Sequence, residues 1–170
     1  MAFLQTRAPD GRRWRLAEWI QGRPLGVATH PMFVHYPVAF YLAVIAFDIM
    51  SRITPSPALV LAATYLLLGA FAGTAIAALL GLIDWFGMIS GSSKRRLATT
   101  HMLVQIAAAG FFIVSFILRW GDRALAEAET SWIVIEILGY LVLIVGQHLG
   151  GMLVYQRGMR VSTGAERAAE

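Results

Sequence analysis

The sequence predicts an all-α integral membrane protein: a four-helix up-down-up-down bundle with a short N-terminal interfacial helix. Three observations carry that prediction. Of 170 residues, 58% are hydrophobic and 14% charged, where a soluble domain carries about 25% charged residues. Four apolar runs follow one another, each reaching the ~20 residues that cross a ~30 Å hydrocarbon core as a helix. Lysine and arginine gather beside one set of run ends. The absence of cysteine excludes disulfides, zinc thiolates, cysteine-bound iron–sulfur clusters and thiol nucleophiles.

Residues 1–29 form a basic arm. Its arginines are scattered through RAPDGRRWRLAEWIQGR with no apolar core before residue 31, so it is not a secretory signal peptide. Leu16, Trp19 and Ile20 share one helical face, with Trp14 nearby and basic residues opposite, the pattern of an interfacial helix. The bundle, residues 30–157, opens with PMFVHYPVAFYLAVIAFDIMS at 31–51. Pro31 suits the first helical position, with Thr29 or His30 as cap. A start at Pro37 would leave too few residues to span. Pro37 therefore lies inside the helix, where it kinks the first turns and releases the carbonyl of Phe33.

The second run, between Arg52 and Asp84, holds no charge. In it Gly69, Gly73, Ala77 and Gly81 recur every four residues and leave one face for close helix contact. The third run is Leu97 to Leu118. The fourth, Ser131 to Tyr155, repeats the small-residue pattern at Gly146 and Gly150 around His148. The connections TPSP (54–57), SGSSKRR (90–96) and GDRALAEAET (121–130) are short and rich in breakers, which makes sequential helices antiparallel neighbours. Residues 158–170 read as a mobile tail.

Basic residues orient the bundle. The side with both termini and the second connection carries Arg7, Arg12, Arg13, Arg15, Arg23, Lys94, Arg95, Arg96, Arg157, Arg160 and Arg167. The other side carries Arg52, Arg119 and Arg123. This bias places both termini in the cytoplasm. It also assigns the basic excess to the lipid bilayer rather than to nucleic acid.

On that topology His30, His35, Asp84, His101 and His148 come from all four spanning helices to the cytoplasmic level. His35, His101 and His148 lie about 6–14 Å from a helix end. Ionisable residues at such depth are expensive and usually functional. The stretches HPMFVHYPVAF, GLIDW, RRLATTHMLVQ and GQHLGGMLVYQRG resemble the bacterial four-helix membrane family called domain of unknown function 2231, over about residues 28–160. The resemblance implies the bundle. Through relatives fused to Rieske iron–sulfur domains, it also implies a role near electron transfer.

Three functions follow from these residues. In the first, one b-type haem is held by two histidines and the protein is an electron-transfer subunit with a redox partner. Diagonal helices of a square bundle stand roughly 11–14 Å apart. His35 and His101 are then the axial pair, His148 a secondary or alternative ligand, and Gln105 an orienting group one turn below His101. Lys94, Arg95 and Arg96 would neutralise propionates. In the second, His35, His101, His148 and Asp84 bind a transition metal ion. In the third, the histidines are structural and the bundle scaffolds a larger membrane complex. On the outer side Asp48 and Arg52 lie four apart, with Arg119 and Glu136 near their level; paired charges near the interface are expected there rather than a proton route. No serine–histidine–carboxylate set falls at one level and no glycine-rich phosphate loop appears, so a redox or structural subunit is expected rather than a stand-alone enzyme. The topology is directly testable: a reporter fused after Glu170 should be active only as a cytoplasmic fusion, and activity of a periplasmic reporter there would reverse it.

Overall fold

The computed structural model describes residues 7–161. The expected mobility of residues 162–170, and the position of Arg167, lie outside the described residues. The elements are α1 (Leu16–Ile20), a 3-10 turn (Arg23–Leu25), α2 (Thr29–Ile53), α3 (Pro57–Phe86), α4 (Ser93–Arg119) and α5 (Thr130–Tyr155). The described residues form no strand. All four long helices are apolar and long enough to cross a membrane. Leu79, Ile106, Ile117 and Leu141 point away from the bundle, as lipid-facing side chains should.

Two boundaries differ from the sequence reading for local reasons. α2 starts at Thr29, with Ala28 at its cap and no side-chain cap, so neither Thr29 nor His30 caps it. The Thr29 hydroxyl instead donates to the carbonyl of Ile20 at 2.7 Å, tying the N-terminal arm to the bundle. α4 starts at Ser93 because Ser92 Oγ accepts from the backbone N–H of Arg95 at 3.2 Å, an N-cap bond.

α2 and α3 form one close antiparallel pair and α4 and α5 another; contact between the two pairs is far sparser. Within the first hairpin Phe40 lies on Gly69, Pro37 on Gly73 and His30 on Gly81. Within the second, Phe111 lies on Gly139, Gln105 on Gly146 and His101 on Gly150. The small-residue faces are therefore seats for particular side chains of the partner helix. A core of Tyr41, Val44, Leu67, Ala70, Ala108, Phe112 and Leu143 joins the hairpins. At its centre the Tyr41 and Phe112 rings stack at 3.9 Å.

Both ends are closed by loops. The α4–α5 connection folds over the end of α2, where Ala128 N–H donates to Ser51 Oγ at 2.9 Å and Arg52 pairs with Glu127 at 3.1 Å. At the histidine end α1 turns Leu16, Trp19 and Ile20 outward, while Glu18 and Gln21 are buried. The Arg12 guanidinium grips Glu18 at 2.7 and 2.8 Å and holds its carboxyl down to about 2. Within the expected tail, Arg160 turns back to Asp84 at 2.5 Å.

Gly73 tests the seating. A Cβ there would stand 3.1 Å from Pro37 Cδ and 3.4 Å from Pro37 N, a rigid ring that cannot yield. Gly73→Leu should destabilise the bundle by about 1–3 kcal/mol, read as a lower unfolding temperature in detergent; an unchanged temperature would place this face toward lipid.

Candidate functional site

Two side chains meet across the bundle axis at the end where α2 and α4 begin. His30 and His101 have ring centroids 6.4 Å apart and planes at 82°. Each is fixed by the other helix of its own hairpin. His30 Nδ1 bonds to the carbonyl of Ala77 at 2.8 Å, and His101 Nδ1 to that of Gly146 at 2.7 Å. In both cases the ring rests on the glycine four residues further on, Gly81 or Gly150. A carbonyl can only accept, so each Nδ1 carries a proton, and in the neutral ring Nε2 is the nitrogen that keeps its lone pair. This is how an orienting bond prepares a ligating or proton-accepting imidazole.

The rings face a cavity of about 70 Å³ lined also by Tyr41, Thr74, Gln105 and Gln147. Every long helix contributes to it. Tyr41 and Thr74 hydroxyls bond to each other at 3.0 Å. The rest of the wall is mostly apolar, and the volume has room for a few waters beside these polar groups, since one needs about 10–15 Å³.

The histidines and Asp84 expected to form one site are not assembled. His35 is exposed and bonds, at 3.3 Å, to the carbonyl of Met32 in its own helix. The physical reason is azimuth: five residues beyond His30 is about 140° around the helix. His148 is exposed for the same reason, lying about 200° around from Gly146. Asp84 is buried but engaged by Arg160. Among the described residues no group of three or more His, Cys, Asp or Glu is placed to hold a metal ion, so the set His35, His101, His148 and Asp84 does not come together. Gln105 does reach the cavity, as placed beside His101. Of the basic residues assigned to propionates, Arg95 stacks on Trp85 at 3.8 Å and Arg96 donates to the carbonyl of Gly91 at 2.7 Å.

A second polar layer lies at the opposite end. Arg119, Asp48, Glu136 and Ser115 are all at 0% exposure. Arg119 Nη2 donates to both Asp48 oxygens, at 2.6 and 2.8 Å, and Nη1 to Glu136 Oε1 at 3.2 Å. Ser115 donates to that same Glu136 oxygen at 2.6 Å, and the guanidinium lies over Trp132 at 5.0 Å. Paired charges were expected here, but near the interface and with Arg52 beside Asp48. The charges do pair, at the end of α4 and fully buried in the bundle, while Arg52 turns to Glu127.

Tyr41, Thr74 and Gln147 escaped the sequence reading, which placed His30 at this level but gave it no ligand role; one signal marks His30 and Tyr41. Asp48 and Arg119 are 71 residues apart, and the same interval separates His30 from His101 and Tyr41 from Phe112. On each helix these positions fall on one stripe stepping by three and four residues, the inward face of a helix.

A family model described as "Predicted membrane protein (DUF2231)" matches residues 26–163. No curated protein and no solved structure matches the chain.

Removing the guanidinium should be severe. Arg119→Met would strand Asp48 and Glu136 without a cation, and breaking a buried pair costs about 3–5 kcal/mol. Loss of folded protein, or a sharply lowered unfolding temperature, is the expected readout; wild-type stability would show that the pair contributes nothing.

Proposed function

This chain belongs to the DUF2231 family of predicted membrane proteins, and on that premise we propose that it is a multi-pass inner-membrane redox subunit holding one b-type haem between His30 and His101. The observation that carries this reading is the facing imidazole pair, 6.4 Å between centroids with each Nδ1 locked to a backbone carbonyl. Two imidazoles on opposite sides of one metal atom, with bonds of about 2.0–2.1 Å, need about that separation. His30 takes the place the sequence reading gave to His35.

Donor number separates haem from a bare ion. A zinc site takes roughly three or four protein ligands, and two histidines do not supply them. A haem brings its own equatorial nitrogens and asks the protein for axial ligands alone. Bound there, it would accept and release one electron. The chain's part is to fix both imidazoles and to present the side-chain-free faces at Gly81 and Gly150. Lys94, Arg95 and Arg96 supply positive charge at the same end. The positive-inside bias sets that end, and both termini, toward the cytoplasm.

The reading makes one demand on the fold. The cavity of about 70 Å³ is well below the roughly 300–1,000 Å³ of small-molecule pockets. The hairpins must stand further apart at the histidine end when haem is bound, and the sparse contact between them is where room is available. The same volume favours a second reading, a hydrated transition metal ion on His30 and His101 with Gln105 and Gln147 holding its waters.

Detergent-purified protein, expressed with haem available, should show a Soret band that shifts on reduction. His30→Ala and His101→Ala should each abolish it while inserting normally, and His35→Ala should leave it intact. A colourless wild type with one equivalent of copper, iron or zinc would select the second reading. A protein with neither would leave the histidines structural.

A further inference from the structure

The buried cluster of Asp48, Arg119 and Glu136 does not balance with all three side chains ionised. One guanidinium faces two carboxyl groups, all at 0% exposure. Arg119 and Asp48 neutralise each other at 2.6 and 2.8 Å. Glu136, held more loosely by Arg119 at 3.2 Å, would then leave an uncompensated negative charge inside the bundle. An isolated buried charge carries a penalty of several kcal/mol, and a group so placed neutralises instead.

The polar atoms point the same way. Glu136 Oε1 accepts from both Ser115 and Arg119, whereas Glu136 Oε2 is buried with no partner among the described residues. The carboxyl groups of Asp48 and Glu136 are both held by the one Arg119 guanidinium, so two acids share a single counter-charge. Two like charges gathered on one cation disfavour ionisation of both, and a proton on one of them removes the conflict.

We propose that this cluster is a buried proton-binding site in which Glu136 Oε2 carries a proton beside the ionised Asp48–Arg119 pair. Protonation turns the unpartnered acceptor into a donor and makes the cluster neutral. Each packed helix enters this balance. α2 brings Asp48, while Arg52 is turned away to Glu127. α4 brings Arg119 and Ser115, and α5 brings Glu136 and the Trp132 ring. The buried residues of α3 at that end are Val60, Ala63, Thr64 and Leu67, none of them charged, and Thr64 is satisfied by the carbonyl of Val60 at 2.8 Å. The site stands whether or not a haem is bound at the other end.

Infrared spectra of the full chain in lipid at neutral pH test it. A protonated-carboxyl stretch that moves down in D2O is expected in the wild type. It should vanish in Glu136→Gln, which keeps the shape and neutrality of the cluster, and in Asp48→Asn, where the remaining carboxylate pairs with Arg119. Absence of the band from the wild type, or its survival in either variant, overturns the proposal. Should the variants fail to insert, carbon-13 glutamate incorporated into the wild type gives the same answer: the band must shift with the label, and an unshifted band overturns the proposal.

Discussion

Arg119 is the largest side chain buried completely in the bundle, and it reaches carboxyl groups on two other helices, Asp48 of α2 and Glu136 of α5. Those helices belong to different hairpins, and between the hairpins contact is otherwise sparse. In lipid there is no water to satisfy a stray guanidinium, so its partners must come from the protein. That requirement fixes the rotation of α2, α4 and α5 about their own axes. Once Asp48 and Arg119 face each other, helical periodicity brings Tyr41 onto Phe112 and then His30 toward His101. The candidate site is thus set by a charge pair at the far end of the same stripe.

The division of labour among the helices follows from that stripe. α2 and α4 carry the large and chemically capable groups across the diagonal. α3 and α5 supply carbonyls and small surfaces: Ala77 and Gly81 under His30, Gly146 and Gly150 under His101. A side chain at Gly81 would come within 2.9 Å of the His30 ring, and one at Gly150 within 3.1 Å of His101. The glycines thereby decide where each imidazole can lie. The Nδ1 bond decides which nitrogen remains open.

How far the sequence could be read depended on which coordinate a residue pattern encodes. Apolar length and breaker residues encode position along the membrane normal, so the four spans emerged within a few residues of the observed helices, and the histidines were placed at the correct end of the bundle. Rotation about the helix axis is encoded only in periodicity. His35 and His101 share a level, which suggested a pair, yet His35 lies well around the helix from the inward face and His30 lies on it. His148 fails for the same reason. The small-residue face of α3 was legible as a contact surface, since spacing by four needs no partner to be recognised. What seats on it was not, because Phe40, Pro37 and His30 come from another helix.

The interval of 71 residues adds a structural consequence. α2 and α4 run in the same direction, and each hairpin repeats the same device: an imidazole bonded to a carbonyl of the following helix and resting on a glycine one turn later. Two like hairpins arranged around a common axis place equivalent residues opposite each other, as in the parallel repeats of some transporters. At the histidine end the repeat is symmetric, and two equivalent acceptors face one space. At the other end it has diverged into Asp48 opposite Arg119, so the same geometry yields a charge pair in place of a ligand pair. One backbone arrangement therefore produces both polar layers. The Tyr41–Phe112 stack between them keeps the interior apolar over the intervening turns, so the two sites occupy separate compartments of one bundle.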